Sequence, residues 1–499
     1  MKKRISLLLC LCMILPTLAA CAESSNSDVQ ADAQNTPNAS VETTETVPEE
    51  TRFAAAIPAG TNYDGMKFTV AAYPDDGTIW GDVDWSATEF TGEVLNDAVF
   101  QRISHVEDLL NIDIETSYVT SYADTAPLNT SVTANDGAYQ LYQITAGNVI
   151  NTASSGLIQD INQFAASGTL DLDAAWWDQN IRKDMSLKNH LYCLTGDIGT
   201  MYKKSIGVIM FNKNIIAQNQ LEVPYDLMNE GTWTVDKMVE LGTKISNDLD
   251  GNGTMDQQDQ YGLICFCDMM ALAMIGCDVP YFTKDAEDMP QNTFYTERSV
   301  AVVEKLATLM YDSNLTYSWS KNGVGEDPAF KMFQTDKSLF YYGELHAVAT
   351  MRDMESPFGI MPMPKYDEAQ NEYHHCINPN VAAVYVIPKT NADYEKSGYI
   401  IDALAAESKN ELTPAYYEKT LQGKVSRDEE SSASLDVIIN SIRYDIGYLG
   451  GWGIGSMLYT MADSYNSDLT SQYKKVDKVI TKTMERTIKK LEETLAAAE

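Results

Sequence analysis

The stretch Ser205–Ile245 constrains the fold most, because it joins one short apolar run to two helical patterns. Ile206–Phe211 is almost wholly apolar and ends at a polar step, which is typical of a strand buried on both faces of a sheet. An amphipathic segment follows and stops at Pro224. Thr234 is the expected N-cap of the next helix, whose apolar residues recur at helical spacing at Met238, Leu241 and Ile245. One buried strand that feeds two helices predicts an α/β fold.

The beginning of the folded part has the order strand, helix, strand. Phe68 and Val70 alternate with polar neighbours, and Ile112 and Ile114 begin a second strand. Between them, apolar residues occupy one face of a helix at Leu95, Val99, Ile103, Val106 and Leu110. This order requires a crossover connection and predicts a parallel sheet.

The composition limits the classes of partner. The chain has 499 residues, enough for two or three domains, and its 36 basic and 71 acidic residues give a net charge of -35. Such a charge repels phosphate backbones, so we expect no nucleic acid as partner. A neutral or cationic small ligand remains open.

Residues 1–20 have the pattern of a secretory signal, with a basic start followed by an apolar run too short for an ordinary membrane span. Leu18–Cys21 resembles the bacterial lipobox, whose Cys becomes the lipid-modified first residue of the mature protein. This implies acylation of Cys21, for example with palmitate, and a location on the outer face of the bacterial cell membrane, touched only through the lipid. The alternative is an ordinary signal peptide with a chance cysteine.

Residues 21–61 are rich in Ser, Thr, Asn and acidic side chains, so they predict a disordered tether. Five cysteines follow it, an odd number that predicts buried thiols rather than a disulfide framework: Cys193, Cys265, Cys267, Cys277 and Cys376.

Three motifs carry a resemblance to a known family. Phe211-Asn212-Lys213, Trp233-Thr234 and the Gly-x-x-Pro-x-Pro passage Gly359–Pro364 stand in the order found in the family 1 extracellular solute-binding proteins of ABC importers, the group that includes maltose-binding protein. The resemblance implies an α/β, two-lobed, periplasmic-binding-protein-like type II fold. Each lobe is then a mixed, mostly parallel sheet flanked by helices, with a ligand cleft between the lobes.

The resemblance also implies the domain boundaries. Lobe 1 is expected to comprise residues 62–204 plus 381–430, and lobe 2 residues 205–380 plus 431–499. The chain is expected to cross between the lobes near Gly199–Gly207 and Asn378–Ala383.

The function implied is that of a monomeric, non-enzymatic lipoprotein that captures a small solute by hinge closure and delivers it to a membrane permease. A sugar or oligosaccharide is the expected solute. The rival reading is a surface-anchored carbohydrate-active enzyme such as a glycosidase, because an acidic chain can supply paired carboxylates. A structural adhesion protein, with no saturable small ligand, is a third possibility.

Sugar ligands need flat aromatic faces and planar polar side chains. Residues of these types on loops expected to face the cleft are Tyr73, Asp75, Asp76, Trp80, Trp85, Asn148, Asp268, Glu344 and Trp452. Each aromatic residue could instead pack in the core. For Trp452, the neighbouring glycines predict an exposed ring.

The segment Asp248–Asp259 has the spacing of an EF-hand loop, with Gly at the sixth position. Oxygen ligands would come from Asp248, Asp250, Asn252, the Thr254 carbonyl, Asp256 and Asp259. Asp rather than Glu stands at the twelfth position, so bidentate closure is less certain. The segment predicts a structural calcium site, and the alternative is an Asn/Asp/Gly turn that needs no metal.

Overall fold

The computed structural model describes residues 52–351, 354–391, 393–421 and 429–497. The predictions for the signal peptide, for Cys21 and for most of the tether lie outside these ranges. The strands within them are β1 (Met66–Ala72), β2 (Ile112–Tyr118), β3 (Leu141–Thr145), β4 (Gly207–Asn212), β5 (Tyr261–Cys265), β6 (Phe282–Lys284), β7 (Pro290–Asn292), β8 (Thr316–Ser318), β9 (Ser338–Glu344), β10 (Phe358–Met361) and β11 (Ala383–Val386).

The helices are α1 (Val94–Leu110), α2 (Ala126–Ala134), α3 (Val149–Ser154), α4 (Asn162–Ala166), α5 (Gln179–Met185), α6 (Met201–Lys204), α7 (Lys213–Asn219), α8 (Pro224–Asn229), α9 (Val235–Thr243), α10 (Met269–Gly276), α11 (Glu297–Met310), α12 (Glu326–Gln334), α13 (Ala347–Thr350), α14 (Tyr394–Asn410), α15 (Leu412–Leu421), α16 (Glu429–Asn440), α17 (Ile446–Leu449), α18 (Ile454–Ser464) and α19 (Leu469–Ala496). No helix in the described ranges is both long and apolar enough to span a bilayer.

The first sheet has the strand order β11-β3-β1-β2. β1 pairs in parallel with β2, with Met66 opposite Ile112, and also in parallel with β3. The predicted strand, helix, strand unit at the start of the fold is therefore confirmed. β11 joins antiparallel to β3 from a distant part of the chain, and α14 and α15 pack against α1. We call this sheet and the helices on it the first lobe.

The second sheet has the order β10-β4-β9-β5-β8 and contains the strand predicted from the sequence. All six residues of β4 are buried, and the strand pairs antiparallel with both β9 and β10. β5 pairs in parallel with β9 and β8, so the sheet is mixed. The predicted N-cap is also confirmed, because Thr234 Oγ1 accepts a hydrogen bond from the Lys237 amide at 3.2 Å. We call this sheet and the helices on it the second lobe.

The chain passes from one sheet to the other between α6 and β4 and again between β10 and β11. These two crossings are paired: Ile206 lies opposite Ile377 in an antiparallel bridge, and the Asn378 amide donates to the Ser205 carbonyl at 2.9 Å. These two short segments thus support one another. The chain also returns to the second lobe between α15, which packs on α1, and α16, which packs on β10.

Two boundary predictions differ from the structure. The tether does not remain free up to residue 61, because Arg52 forms an ion pair with Glu411 at 2.7 Å and Phe53 exchanges two hydrogen bonds with Asn410. These contacts fasten residues 52 and 53 to α14 and α15, and apolar Ala55 and Ile57 pack on the first core.

The resemblance predicts that the C-terminal segment 431–499 belongs wholly to the second lobe. α19 instead extends to the first lobe, where Thr494 Oγ1 donates to the Ser154 carbonyl at 2.9 Å and Lys490 Nζ to Ser155 Oγ at 2.7 Å. A helix of 28 residues is about 42 Å long, which lets α19 begin on the second lobe and end on the first. The five cysteines in the described ranges are free and buried, as predicted.

Gly359 in β10 tests the packing of the second lobe. A Cβ at this position would overlap the Phe211 ring and lie 2.5 Å from the Tyr225 hydroxyl oxygen. Overpacking of this kind costs about 1–3 kcal/mol, so Gly359→Ala should lower the midpoint of thermal unfolding. Gly325→Ala is the matched control, because the nearest atom to its Cβ is 3.8 Å away. Equal melting of the two variants would contradict this packing.

Candidate ligand-binding site between the lobes

Two of the predicted ligand residues meet where the strands of the second lobe reach the crossings. Glu344 is the last residue of β9, and Asp268 follows β5, the parallel neighbour of β9. Asn378, in the second crossing, donates its side-chain amide to Asp268 Oδ2 at 3.1 Å and to Glu344 Oε1 at 2.6 Å. The carboxyl ends of neighbouring parallel strands meet at one sheet edge, which explains why residues so far apart in sequence converge.

The two carboxyl groups are strongly perturbed by their surroundings. Asp268 is 7% exposed and Glu344 is 6% exposed. Burial raises the pKa of Asp268 to about 7, although a hydrogen-bond donor at Tyr342 opposes the shift. Burial and the neighbouring Asp268 raise the pKa of Glu344 well above its ordinary value. The pair therefore retains protons near neutral pH.

An aromatic contact between the lobes lies beside these carboxyl groups. The Trp80 ring, from the first loop of the first lobe, packs on the His346 ring of the second lobe with centroids 3.9 Å apart. His346 Nδ1 is 3.5 Å from Glu344 Oε2, and its Nε2 is 3.2 Å from Glu326 Oε1. The Trp80 carbonyl accepts from the Tyr122 hydroxyl. Trp80 is thus the predicted aromatic residue that the structure brings closest to the carboxyl pair.

The other predicted residues of the first loop lie on the same side. Tyr73 packs on Tyr122 with ring centroids 4.5 Å apart, and its hydroxyl donates to Asp76 at 2.8 Å. Asp75 is exposed and accepts the amide of Gly77. Tyr73 is thus connected to Trp80 through Tyr122, whose hydroxyl donates to the Trp80 carbonyl. The contacts of Asp75 and Asp76 described here are within the loop and do not reach the carboxyl pair.

The expectation that Trp85 and Trp452 present exposed rings is wrong. Trp85 is 3% exposed, its Nε1 donates to the Tyr385 hydroxyl at 3.0 Å, and the Arg102 guanidinium lies 4.5 Å above its ring. Trp452 is 2% exposed and packs on Phe282 with centroids 5.0 Å apart. The flanking glycines 451 and 453 adopt positive φ and turn the backbone so that this ring points inward. Neither ring is available to sandwich a ligand in this structure.

A cavity of about 190 Å³ adjoins the carboxyl pair. Asn148 lines it from the first lobe and donates its side-chain amide to the Ala123 carbonyl at 3.3 Å. Asn380 lines it from the second crossing, and Tyr459 from the second lobe. The nearby Asp268 and Glu344 carboxyl groups contribute, after burial, to a raised pKa of the Tyr459 hydroxyl. The carboxyl pair does not itself line the cavity, but it lies next to it through Tyr459 and through Asn378, the residue before Pro379 of the lining.

A larger groove of about 670 Å³ contains none of the predicted ligand residues. Its lining includes Lys183, Lys284 and Arg443 along with acidic side chains. The lining also includes aromatic and amide side chains such as Phe282, Tyr444 and Asn180, but the smaller cavity is lined by a predicted ligand residue, Asn148, so we place the candidate site there.

Sequence reasoning missed Asn378, Tyr342, His346 and Tyr459. The first could have been found, since it falls in the predicted second crossing. His346 stands two residues after Glu344, just past the end of β9, but a lone histidine carries no signal. Tyr459 lies on α18, whose approach to the cleft depends on tertiary packing.

The predicted calcium loop is also well defined. One oxygen each of Asp248, Asp250 and Asp259 lies within 4.8 Å of the others. Asp248 accepts the amides of Gly251 and Gly253, both at 2.7 Å, and Gly253 has φ of +80°. The Asp256 carboxylate turns instead to the Gln258 amide. Three convergent carboxylates fit a hard cation, whereas Asp256 does not join them as predicted.

The raised pKa of Asp268 predicts a pH dependence of stability without ligand. Because the folded pKa of about 7 lies above the usual 3.8, the stabilising contribution is full below about pH 4 and is lost as the pH rises through about 7. Asp268→Asn should flatten this part of the decline in thermal midpoint, whereas Asp108→Asn, an exposed change, should not. An unchanged slope in Asp268→Asn would show that the carboxyl group is ionised throughout.

No family model and no curated protein matches this chain. Solved structures match most of its length. The extracellular solute-binding protein from Staphylococcus aureus in complex with maltose is 11% identical, with a TM-score of 0.57 over 85% of this chain and 99% of that chain.

Two further structures are similar to the same extent. The ABC substrate-binding protein from Listeria monocytogenes in complex with cycloalternan is 13% identical, with a TM-score of 0.55 over 85% of this chain and 100% of that one. An ABC transporter solute-binding protein from Thermotoga lettingae, bound with α-D-tagatose, is 13% identical, with a TM-score of 0.53 over 86% and 100%. This chain therefore has the two-lobed α/β fold of the ABC solute-binding proteins.

Proposed function

We propose that the protein is the substrate-binding component of an ABC importer and captures a small solute, a sugar or oligosaccharide, between its lobes. The observation that carries the proposal is a cavity lined from both lobes and from a crossing, by Asn148, Tyr459 and Asn380, with the carboxyl pair and the contact between Trp80 and His346 in the same cleft. The similar structures from Staphylococcus aureus and Thermotoga lettingae hold maltose and α-D-tagatose, and they support a sugar as the class of ligand.

Hinge closure follows from the way the lobes are joined. Dihedral changes in the paired crossings at Ser205–Ile206 and Ile377–Asn378 can rotate one sheet against the other while both sheets stay intact. A solute that contacts both lobes stabilises the closed state by its differential affinity for that state. Opening would separate the Trp80 and His346 rings, which meet across the cleft.

The glycosidase alternative is less well supported. Retaining and inverting enzymes need two carboxyl groups on either side of the scissile bond, with space between them for sugar or water. Here the Asn378 amide lies between Asp268 and Glu344 and donates to both. The pair is therefore arranged to bind rather than to attack from two faces.

The place of the protein in the cell follows from the same proposal. An acyl group on Cys21 would hold a monomer at the outer face of the membrane, where a permease and its ATPase receive the solute. The lipobox sequence supports this anchor. Residues 22–51 are then available as a link between the lipid and the docked segment that starts at Arg52.

The first prediction of the function concerns Trp80. Trp80→Ala should weaken sugar binding by about 1–4 kcal/mol, the range for a buried aromatic anchor, with little change in the thermal midpoint. Trp452→Ala is the matched control, because its ring is in the core: it should melt early and bind normally. Calorimetry against maltotriose, cycloalternan and tagatose measures affinity, and product analysis of the same mixtures detects hydrolysis. Turnover, or the absence of saturable binding across such a sugar panel, would refute the proposal.

We also propose that the Asp248 loop holds a structural calcium ion. Asp248, Asp250 and Asp259 would provide carboxylate oxygens, and Asn252 and the Thr254 carbonyl would add to them. A bound cation would neutralise the three convergent carboxylates, one of which, Asp259, is fully buried. The loop lies apart from the cavity, so its role would be structural.

Calcium should therefore raise the midpoint of thermal unfolding relative to chelator, because metal binding to the folded state adds linkage stabilisation. Asp248→Ala should abolish the difference and leave sugar affinity unchanged. Asp173→Ala, an exposed acidic residue elsewhere, should retain the full calcium effect. Identical melting of the unsubstituted protein in chelator and in millimolar calcium would refute the site.

A further inference from the structure

We propose that the captured solute carries a cationic amino group, as an amino sugar does, and that Asp268 and Glu344 hold this group. The inference rests on the proposed function and narrows its substrate class from sugars in general to aminated sugars.

The first argument is the balance of charge around the pair. Asp268 and Glu344 lie together, and Glu326 adds a third carboxyl group nearby. Within the described ranges, the only basic side chain paired with any of the three is His346. One imidazole cannot balance three carboxylates, and unpaired buried charge is costly. The site therefore lacks a cation that a ligand can supply.

The second argument is an unpartnered hydroxyl. Tyr342 is 2% exposed, and its hydroxyl group lies beside Asp268 without a hydrogen bond of normal geometry. Asp268 Oδ1 also lacks such a bond, and His346 Nδ1 lies 3.5 Å from Glu344 Oε2 without forming one. Buried polar atoms are nearly always satisfied, so a cluster of such atoms marks the place of a missing partner.

An ammonium group meets these requirements better than a hydroxyl group does. It offers three donors and a positive charge, enough to reach Asp268 Oδ1, a Glu344 oxygen and the Tyr342 oxygen together. A neutral sugar hydroxyl offers one donor and leaves the carboxyl groups either charged and unpaired or protonated. In the absence of ligand, protons on Asp268 and Glu344 neutralise the carboxyl groups. A bound ammonium group would replace this neutralisation and release the protons.

A metal ion fits less well. Among the described residues, the group of three acidic or metal-binding side chains with ligand atoms within 4.8 Å is the Asp248 loop, and the cleft carboxyl groups do not form such a group. Asp268 Oδ2 and Glu344 Oε1 do converge, but the point at which they meet is occupied by Asn378 Nδ2, which donates to both. An organic cation can use the remaining carboxylate oxygens and does not need a compact set of ligands.

The test compares sugars that differ only by an amino group in place of a hydroxyl. Glucosamine is paired with glucose, and the disaccharide of β-1,4-linked glucosamine with cellobiose. Thermal shift and calorimetry on the full-length protein should show the amine of at least one pair bound on the order of tenfold or more tightly than its hydroxyl counterpart. Calorimetry in buffers of different ionisation heat should show proton release on amine binding.

Glu344→Gln and Asp268→Asn should each remove the preference for the amine. Asp402→Asn, a buried acidic residue that accepts from Trp176 and Trp177 in the first lobe, should keep it. An amine shift no larger than that of the hydroxyl sugar, or no shift with either amine at millimolar concentration, would overturn the inference. Tight binding of neutral sugars in that case would leave the proposed function standing, so the two failures are distinguishable.

Discussion

The hydrogen bonds of Asn378 tie the geometry of the lobes to the chemistry of the site. Its backbone amide donates to Ser205 and holds the two crossings side by side, while its side chain joins Asp268 to Glu344. A rotation at the crossings must therefore also displace the amide that sets the spacing of the carboxyl pair. Domain motion and ligand affinity are coupled here through one residue, without a long pathway between them.

Two buried acidic pairs lie among the residues that the structure describes, and they differ in how their oxygens are satisfied. In the first lobe, Asp82 accepts from Gln143 at 2.6 Å and Asp84 accepts from the amide and hydroxyl of Thr200. Arg102 donates to the backbone carbonyl of Asp84 and places its positive charge beside this pair. Burial and Asp84 still raise the pKa of Asp82 to about 8. In the cleft, Asn378 donates one hydrogen bond to Asp268 and one to Glu344, and Asp268 Oδ1 accepts none of normal geometry. Such an oxygen is available to a ligand.

The secondary structure of both sheets could be read from the sequence because period and burial are local properties. The run at Ile206–Phe211 and the helix face at Leu95–Leu110 correspond to β4 and α1. Asp268 and Glu344 could be placed because each follows a strand expected to end at the cleft. The direction of an aromatic ring could not be read, since it depends on packing from distant parts of the chain. Trp85 turns toward Tyr385, and Trp452 toward Phe282, each through contacts that no local pattern encodes.

The long C-terminal helix gives the lobes a further connection that is not part of the paired crossings. α19 packs beside α11 and α18 of the second lobe and ends on α3 of the first, where Lys188 also reaches Glu492 at 2.8 Å. Because α19 is packed on the second lobe and touches the first lobe near its end, through polar contacts, it can resist large rotations of one lobe relative to the other. Small rotations of the lobes that keep Thr494 near Ser154 retain the contacts at the end of α19. A wide opening of the cleft would break these contacts one after another. The chain thus limits how far its own cleft can open, and shortening the rod by two turns would set a new limit without touching any residue in the cavity.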